Sequence, residues 1–443
     1  MPPVETLDQS NEMPTLGELF PDGTALDRLR NNQLVLWREG QEEIASGHRY
    51  NGNYYMAAAL DPKLEELLRL PAGTQDFGSV ESLFADLSHL VGSFVELDKE
   101  AAWLLAAYIL STWVADCVPS SPCLNVWGPS GSETALVELL SSVCRQPLRL
   151  AEPSIRDLLS LPRGLVFTLI LKAPSEQALR RLLAVASDPK VQLLRGGRVR
   201  NVRYATVVLT TEPIVGVALG IPLLPATAPY RRVDRSEAQQ VADEFQPRLM
   251  RYRLAQHRQV SSSQFDLPRF APESRMLARI LGATLEGPPH LQDRISAILR
   301  SIDEQTKAEE SLGLGAVVAE ALLALCHENR PEAYVREITE LANGILLGRH
   351  ETVQLTPKAV GAMLRRKLGL VTERRSSGYR LLLTQDTHTR IHRLAAAHQV
   401  LSMLEPASDC RLCLETRGPT LIREKLQVHD VQQVHQVHDA GEE

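Results

Sequence analysis

Aromatic residues are scarce in this chain: eight Phe, nine Tyr and four Trp make up 5% of its 443 positions. The core must then be built largely from Leu, Val, Ile and Ala, which favours helices and parallel strands over a β-sandwich. No long apolar run is present either. The most apolar stretch, Ala101 to Val114, is interrupted by Trp103, Tyr108, Ser111 and Thr112, and falls short of the ~20 residues that span a bilayer. Met1 to Ser10 is acidic and polar and does not read as a secretion signal. Six cysteines in this length do not make a disulfide framework. These absences point to a reduced, cytoplasmic protein with no membrane partner. Charge of one sign is lacking too: 48 Lys and Arg stand against 54 Asp and Glu, for a net charge of -6. Any argument for nucleic acid must therefore be local.

What is present reads as several domains. A small module spans 1–75, its first ~20 residues loosely attached by their polar, Pro-containing composition. Within it Gln33 to Trp37 is strand-like, with Tyr54 to Ala58 as its partner. Residues 76–235 carry an α/β pattern. Asp98 is placed to cap a helix running to Val114. Cys123 to Trp127 reads as a strand that runs through a Gly-rich turn into a helix from Glu133 to Cys144. Leu165 to Leu171 and Ala205 to Leu209 have the character of buried parallel strands, with a helix at Ser175 to Ala186 between them. Residues 236–330 are helical in pattern, with breaks expected at Pro247, Pro268 and Pro288-Pro289.

Strand, Gly-rich turn and helix together form the context of a phosphate-binding loop, G-x-x-x-x-G-K-[ST]. Backbone N–H groups face the phosphates there, the Lys neutralises them, and the hydroxyl holds Mg²⁺. Here the stretch is Gly128-Pro129-Ser130-Gly131-Ser132-Glu133-Thr134-Ala135. Its frame survives in Gly128, Pro129, Gly131 and Ser132. Its functional end does not: Glu133 replaces the second glycine, Thr134 the lysine and Ala135 the metal-binding hydroxyl. A carboxylate in that place opposes phosphate binding.

From Pro71 to about Val400 the chain resembles a primase/helicase-type ATPase family of bacteria and mobile elements, similar in kind to superfamily-three helicases and AAA+ proteins. The resemblance rests on Trp113-Val-Ala-Asp-Cys-Val-Pro, Val126-Trp-Gly-Pro-Ser-Gly-Ser and Cys144-Arg-Gln-Pro-Leu. It rests also on Val207-Val-Leu-Thr-Thr-Glu-Pro, Gln246-Pro-Arg-Leu-Met-Arg-Tyr-Arg-Leu and the basic C-terminal module. It implies a parallel-sheet NTPase core, a following helical region and a C-terminal winged helix. It also implies two carboxylates at the end of the next strand, where this chain has Leu171 and Lys172. A neighbour-reaching arginine is expected beyond Thr210 and Thr211, and Val215-Gly-Val-Ala-Leu-Gly contains none. Loop lysine, strand carboxylates and arginine are all missing, which marks a catalytically inactive member with no nucleotide cofactor.

Between Val335 and Val400 stand eleven Lys/Arg and five Asp/Glu. Residues 331–404 read as a winged helix, with Thr356 capping a recognition helix from Pro357 to Leu368. Strand-like pieces at Leu370 to Arg374 and Tyr379 to Leu383 flank the Ser376-Ser-Gly378 turn, and a last helix runs from Asp386 to His398. The residues singled out for DNA are Lys358, Arg365, Arg366 and Lys367 on the helix, and Arg374, Arg375 and Arg380 on the wing. Residues 405–443 read as a low-complexity tail carrying Cys410-Arg-Leu-Cys413 and the histidines His429, His435 and His438. Cys410, Cys413, His429 and His435 make a candidate zinc set, while scattered histidines such as His392 read as structural. The leading reading is an inactive helicase/primase-like protein that binds DNA through its winged helix, in company with copies of itself or with replication proteins. Two others stay open: a divergent ATPase using ATP and Mg²⁺, and an interaction scaffold without DNA.

Overall fold

The computed structural model describes residues 11–129, 131–162, 164–187, 193–195, 198–200, 203–214, 219–223, 233–328, 330–366, 368–376, 378–398, 400 and 410–417. The chain divides into two units, Met1–Ser301 and Ile302–Glu443.

Seven short strands open the first unit: β1 (Asn11–Thr15), β2 (Gly17–Leu19), β3 (Ala25–Arg28), β4 (Leu34–Arg38), β5 (Gln41–Ala45), β6 (Gly47–Tyr50) and β7 (Asn53–Ala57). They form two sheets, β2-β3-β4-β5 and β1-β7-β6. From residue 11 onward this corrects the expectation of a loosely attached start. It also corrects the expected pairing, because β4 lies between β3 and β5 while β7 lies between β1 and β6. The reason is local. Glu39-Gly40 and Asn51-Gly52 all have positive φ, and they close two-residue hairpins between Arg38 and Gln41 and between Tyr50 and Asn53. Such turns match the twist of their strands, so each strand takes the neighbour its turn delivers.

Three helices follow, α1 (Pro62–Leu68), α2 (Val80–Phe94) and α3 (Lys99–Trp113). Asp98 caps α3, accepting from the Ala101 N–H at 2.7 Å. Then come β8 (Cys123–Trp127), α4 (Thr134–Val143), β9 (Pro147–Leu150), α5 (Ile155–Ser160), β10 (Val166–Lys172) and α6 (Glu176–Ser187). A hairpin of β11 (Leu193–Arg195) and β12 (Arg198–Arg200) leads to β13 (Arg203–Thr210) and β14 (Leu219–Pro222). The five longer-range strands make one sheet in the order β14-β8-β13-β10-β9, with every pairing parallel. The apolar runs seen in the sequence are its central strands, buried on both faces as parallel sheets require.

After β8 the chain crosses to the far edge at β9, steps back through β10 and β13, and ends on the other side of β8. The direction of winding thus reverses at β8, and in open α/β sheets the crevice at the carboxyl end of such a strand is the binding position. The core is an α/β fold built on this five-stranded parallel sheet.

Three long helices complete the unit: α7 (Arg235–Ser262), α8 (Pro272–Thr284) and α9 (Pro289–Leu312), the last running across the boundary at 301. Pro268 lies in the break between α7 and α8, and Pro289 starts α9, as the sequence suggests. Pro247 does not break α7. Its ring removes one helical bond to residue 243, and Asp243 is exposed. On the opposite side Phe245 and Leu249 are buried and hold the helix through the lesion.

The second unit contains α10 (Leu314–His327), β15 (Glu332–Tyr334), α11 (Val335–Gly348), α12 (Pro357–Arg366), β16 (Glu373–Arg375), β17 (Gly378–Leu382), α13 (Gln385–Ala397) and α14 (Arg411–Arg417). Its three strands pair antiparallel in the order β15-β17-β16, over a core that includes Val318, Leu322, Ile338, Ala342, Val360, Leu364 and Ile391. Residues 411–417, read from composition as part of a polar tail, form a helix with Cys413 buried. Among the described residues no helix is long and apolar enough to cross a membrane.

Candidate functional site

The loop at the carboxyl end of β8, where the sequence leads one to expect a phosphate loop, is shaped by two glycines. Gly128 must be glycine, since a Cβ there would lie 2.6 Å from the Leu223 carbonyl oxygen. Gly131 has a φ of 96°, which side-chain-bearing residues rarely adopt. Ser130 lies outside the described residues.

What differs is where the loop's donors point. The Gly131 N–H donates to the Glu133 carboxylate at 2.7 Å, the Ser132 N–H to the Pro129 carbonyl at 3.1 Å, and the Thr134 N–H to the Gly131 carbonyl at 3.3 Å. The hydroxyls follow suit, Ser132 Oγ donating to the Pro129 carbonyl at 2.6 Å and Thr134 Oγ1 to the Gly131 carbonyl at 3.0 Å. In a working loop these amides converge on phosphate oxygens; here the chain satisfies them itself. Ala135, in the place of the metal-binding hydroxyl, is buried in the first turn of α4.

Lys172, the last residue of β10, pairs with Glu133 at 2.8 Å. Burial pushes the Glu133 carboxyl up, but hydrogen bonds from Lys172 and the Gly131 N–H outweigh it and hold the group below the usual carboxylate range. Leu171, in the other expected carboxylate place, is fully buried. At the end of β13 the Thr210 hydroxyl donates to the Glu212 carbonyl at 2.6 Å and accepts from Asn125 Nδ2 at 2.9 Å. Asn125 Oδ1 in turn accepts the Ile214 N–H at 2.8 Å. Residues 215–218, in the segment searched for an arginine, lie outside the described residues.

The other end of α4 is held by residues of the sequence motifs. Trp113 Nε1 donates to the Val143 carbonyl and Gln246 Nε2 to the Ser142 carbonyl, both at 2.8 Å, satisfying carbonyls that a helix end leaves unpaired. Beyond it Arg145 and Arg253 converge on Asp27 at 2.7 and 2.6 Å. Arg253 also grips Asp116 through both nitrogens, at 2.6 and 2.7 Å, and both guanidiniums donate to the Trp113 carbonyl. Asp27, Arg145 and Arg253 are at most 1% exposed. Burial alone would raise the Asp116 carboxyl, but Arg253 overcomes it and holds the group far below its ordinary value. Asp116, Arg145 and Arg253 lie within three of the sequence motifs, where nothing local marks a role for them; Asp27 is what joins them.

In the second unit Lys358, Arg365 and Arg374 are exposed. Lys358 and Arg365 are seven apart on α12 and so share a face. Arg365 lies over the Tyr379 ring at 5.5 Å and bonds the Thr372 hydroxyl at 3.1 Å. Arg374 is the cross-strand partner of Tyr379, which is 47% exposed. Arg375 is exposed, 3.9 Å from Glu373. Arg380 is committed elsewhere, to Glu332 and Glu373. Arg366 ends α12, and Lys367 lies outside the described residues. Cys410 and Cys413 stand at the start of α14. His429, His435 and His438 lie outside the described residues.

No family model and no curated protein matches the chain. Among solved structures it aligns with the apo NrS-1 C-terminal region at 10% identity, covering 80% of this chain and 94% of that one, with a TM-score of 0.32. A full-length MCM homologue from Methanopyrus kandleri aligns at 12% identity over 63% of this chain and 73% of its own, with a TM-score of 0.33. Cdc6p from Pyrobaculum aerophilum aligns at 11% identity over 77% and 97%, with a TM-score of 0.18. Superpositions this loose carry no argument about the chain's activity.

Proposed function

We propose that this chain is a helicase/primase-like ATPase homologue that neither holds nor hydrolyses nucleotide, keeps its α/β core as a scaffold, and contacts DNA with its C-terminal unit. The observation that carries the first half is the Glu133 carboxylate bonded to the Gly131 amide and to Lys172. An entering phosphate must displace a like charge from its own donors, and no loop lysine stands by to repay the exchange. The second half rests on helix, strand, helix, helix and two strands in sequence from Leu314 to Leu382, which we read as a winged helix. The exposed Arg365 and Arg374 beside Tyr379, with Lys358 on the same face of α12 as Arg365, suit phosphates and a stacked sugar or base. Arg380, tied to two glutamates, is left out of that surface.

One experiment tests both halves: the full chain titrated with ATP and Mg²⁺, and in parallel with a duplex DNA over a series of salt concentrations. The expected outcome is no ATP binding and DNA affinity that falls with salt. Changing Lys358, Arg365 and Arg374 to Ala together lowers the log–log salt slope by about 0.9 per lost phosphate contact. ATP turnover that collapses on changing Thr134 restores the ATPase reading. Salt-independent binding, or an unchanged slope in the triple variant, removes DNA from the assignment.

A further inference from the structure

A second constellation in the C-terminal unit lies apart from the basic face. His327 is the last residue of α10, His392 lies in α13, and Cys410 and Cys413 open α14. One ligand atom from each falls within 4.8 Å of all the others. His392 Nε2 is 3.2 Å from Cys410 Sγ, and His327 Nε2 is 3.3 Å from Cys413 Sγ. With Zn–S of about 2.3 Å and Zn–N of about 2.0–2.1 Å, the edges of a zinc tetrahedron are about 3.3–3.8 Å. The two N···S distances are a few tenths of an ångström shorter than the about 3.5 Å of a zinc N···S edge and the 4.8 Å limit is longer, so small side-chain shifts bring the four atoms onto one ion.

We propose that His327, His392, Cys410 and Cys413 bind one zinc ion, which fastens α14 to α10 and α13. The donor set is two thiolates and two imidazoles, the chemistry of a closed, four-coordinate structural site. The imidazole of His392 is already oriented for it: Nδ1 donates to the His388 carbonyl at 2.8 Å. That bond puts the ring proton on Nδ1 and leaves the Nε2 lone pair facing Cys410, the usual support behind a metal-bound histidine. His392 and Cys413 are each only 1% exposed, so two ligands sit in the core while His327 and Cys410 lie nearer the surface.

The helix itself supplies a second reason. Seven residues are too few for a helix to persist in water on its own propensity. Metal coordination holds such a segment because the ion binds only the folded arrangement. The ligands span 86 residues, from His327 to Cys413, so no local spacing pattern announces them. The Cys410-x-x-Cys413 pair is the half visible in sequence, and its partners come from the helices it packs on, upstream of the Val-His tail.

The test uses the full chain. Purified from zinc-containing medium, it is expected to carry about one zinc per chain by elemental analysis. After chelation, titration with Co²⁺ alone is expected to give the intense visible bands of a tetrahedral ion and a near-ultraviolet thiolate charge-transfer band. Cys410→Ser and His327→Gln each abolish stoichiometric metal, whereas the double change His429→Ala, His435→Ala leaves content and spectrum unchanged. Metal-free wild-type protein without the cobalt bands overturns the site and leaves two S–H···N hydrogen bonds. Loss of metal in the tail variant with retention in His327→Gln overturns the ligand set. Since the wild-type chain and the tail variant keep all four proposed ligands, a folding defect in the others leaves the proposal open to refutation.

Discussion

Two polar clusters lie at opposite ends of α4, and the chain treats them in opposite ways. At the start of the helix, Glu133 and Lys172 form an ion pair whose lysine side chain is 70% exposed. Past its end, Asp27, Arg145 and Arg253 are sealed from solvent, with Asp116 at the rim. The first stands at the proposed vestigial nucleotide loop and is open to solvent on its lysine side. The second has no catalytic position, yet it ties the N-terminal sheets, the end of α3, the turn after α4 and the long α7 to one another. Motifs that resemble those of ATPases can therefore persist for architecture alone, since Trp113, Arg145, Gln246 and Arg253 serve the back of α4 whether or not its front binds phosphate.

The sharpest way to break the comparison is Asp27→Ala. It leaves two buried guanidiniums short of their shared carboxylate, and removing one partner from a buried pair costs about 3–5 kcal/mol. Urea unfolding followed by fluorescence of the four tryptophans checks it. A loss no larger than that of a surface substitution would mean that the network is not what joins these elements.

Acid provides a smaller, graded test. The folded Asp116 carboxyl is held below its ordinary value, so the unfolded chain takes up the proton first and ionisation favours the native state. The contribution is complete well above the unfolded value of about 3.9 and drains away as pH falls below it toward the native value. Stability should therefore drop with acid more steeply in the wild type than in Asp116→Asn. Parallel curves would exclude Asp116 as the cause. Glu133 is shifted in the same direction, but its exposed partner makes its part of the slope the lesser one.

The sequence announces elements whose cause is local and misses those whose cause is distant. The strand-turn-helix from Cys123, the Asp98 cap and the helix beginning at Pro357 each carry their signal within a few residues. The two-residue turns at 39–40 and 51–52 were equally local, and Asn51-Gly52 is a strong hairpin signal that pairs Tyr50 with Asn53. The turns, and not any likeness between β4 and β7, decide which strands pair. The Asp27 network is different in kind. Its members lie at 27, 116, 145 and 253, and a lone Asp in a short strand carries no mark of burial. The loop's substitutions were visible, but not their relation. The family resemblance implies a cation in the loop and carboxylates on the strand, whereas this chain has Glu133 in the loop and Lys172 on the strand. Loop and strand have exchanged the sign of charge the resemblance implies, with Glu133 one residue before the lysine's place, and the structure brings this pair into contact.

That exchange gives the smallest effect and the most discriminating test. Glu133→Ala and Lys172→Ala should each cost no more than about 1 kcal/mol, as exposed ion pairs do. Their double-mutant cycle should show a coupling of a few tenths of a kcal/mol that fades with added salt. Glu133→Ala also releases the Gly131 amide, yet it supplies neither the loop lysine nor the strand carboxylates, so ATP binding is not expected to appear. Strong coupling, or ATP affinity gained by that single change, would erase the contrast between the two ends of α4. Either would mean that the front of α4 holds its charge pair as a latch over a usable phosphate site rather than as a filled one.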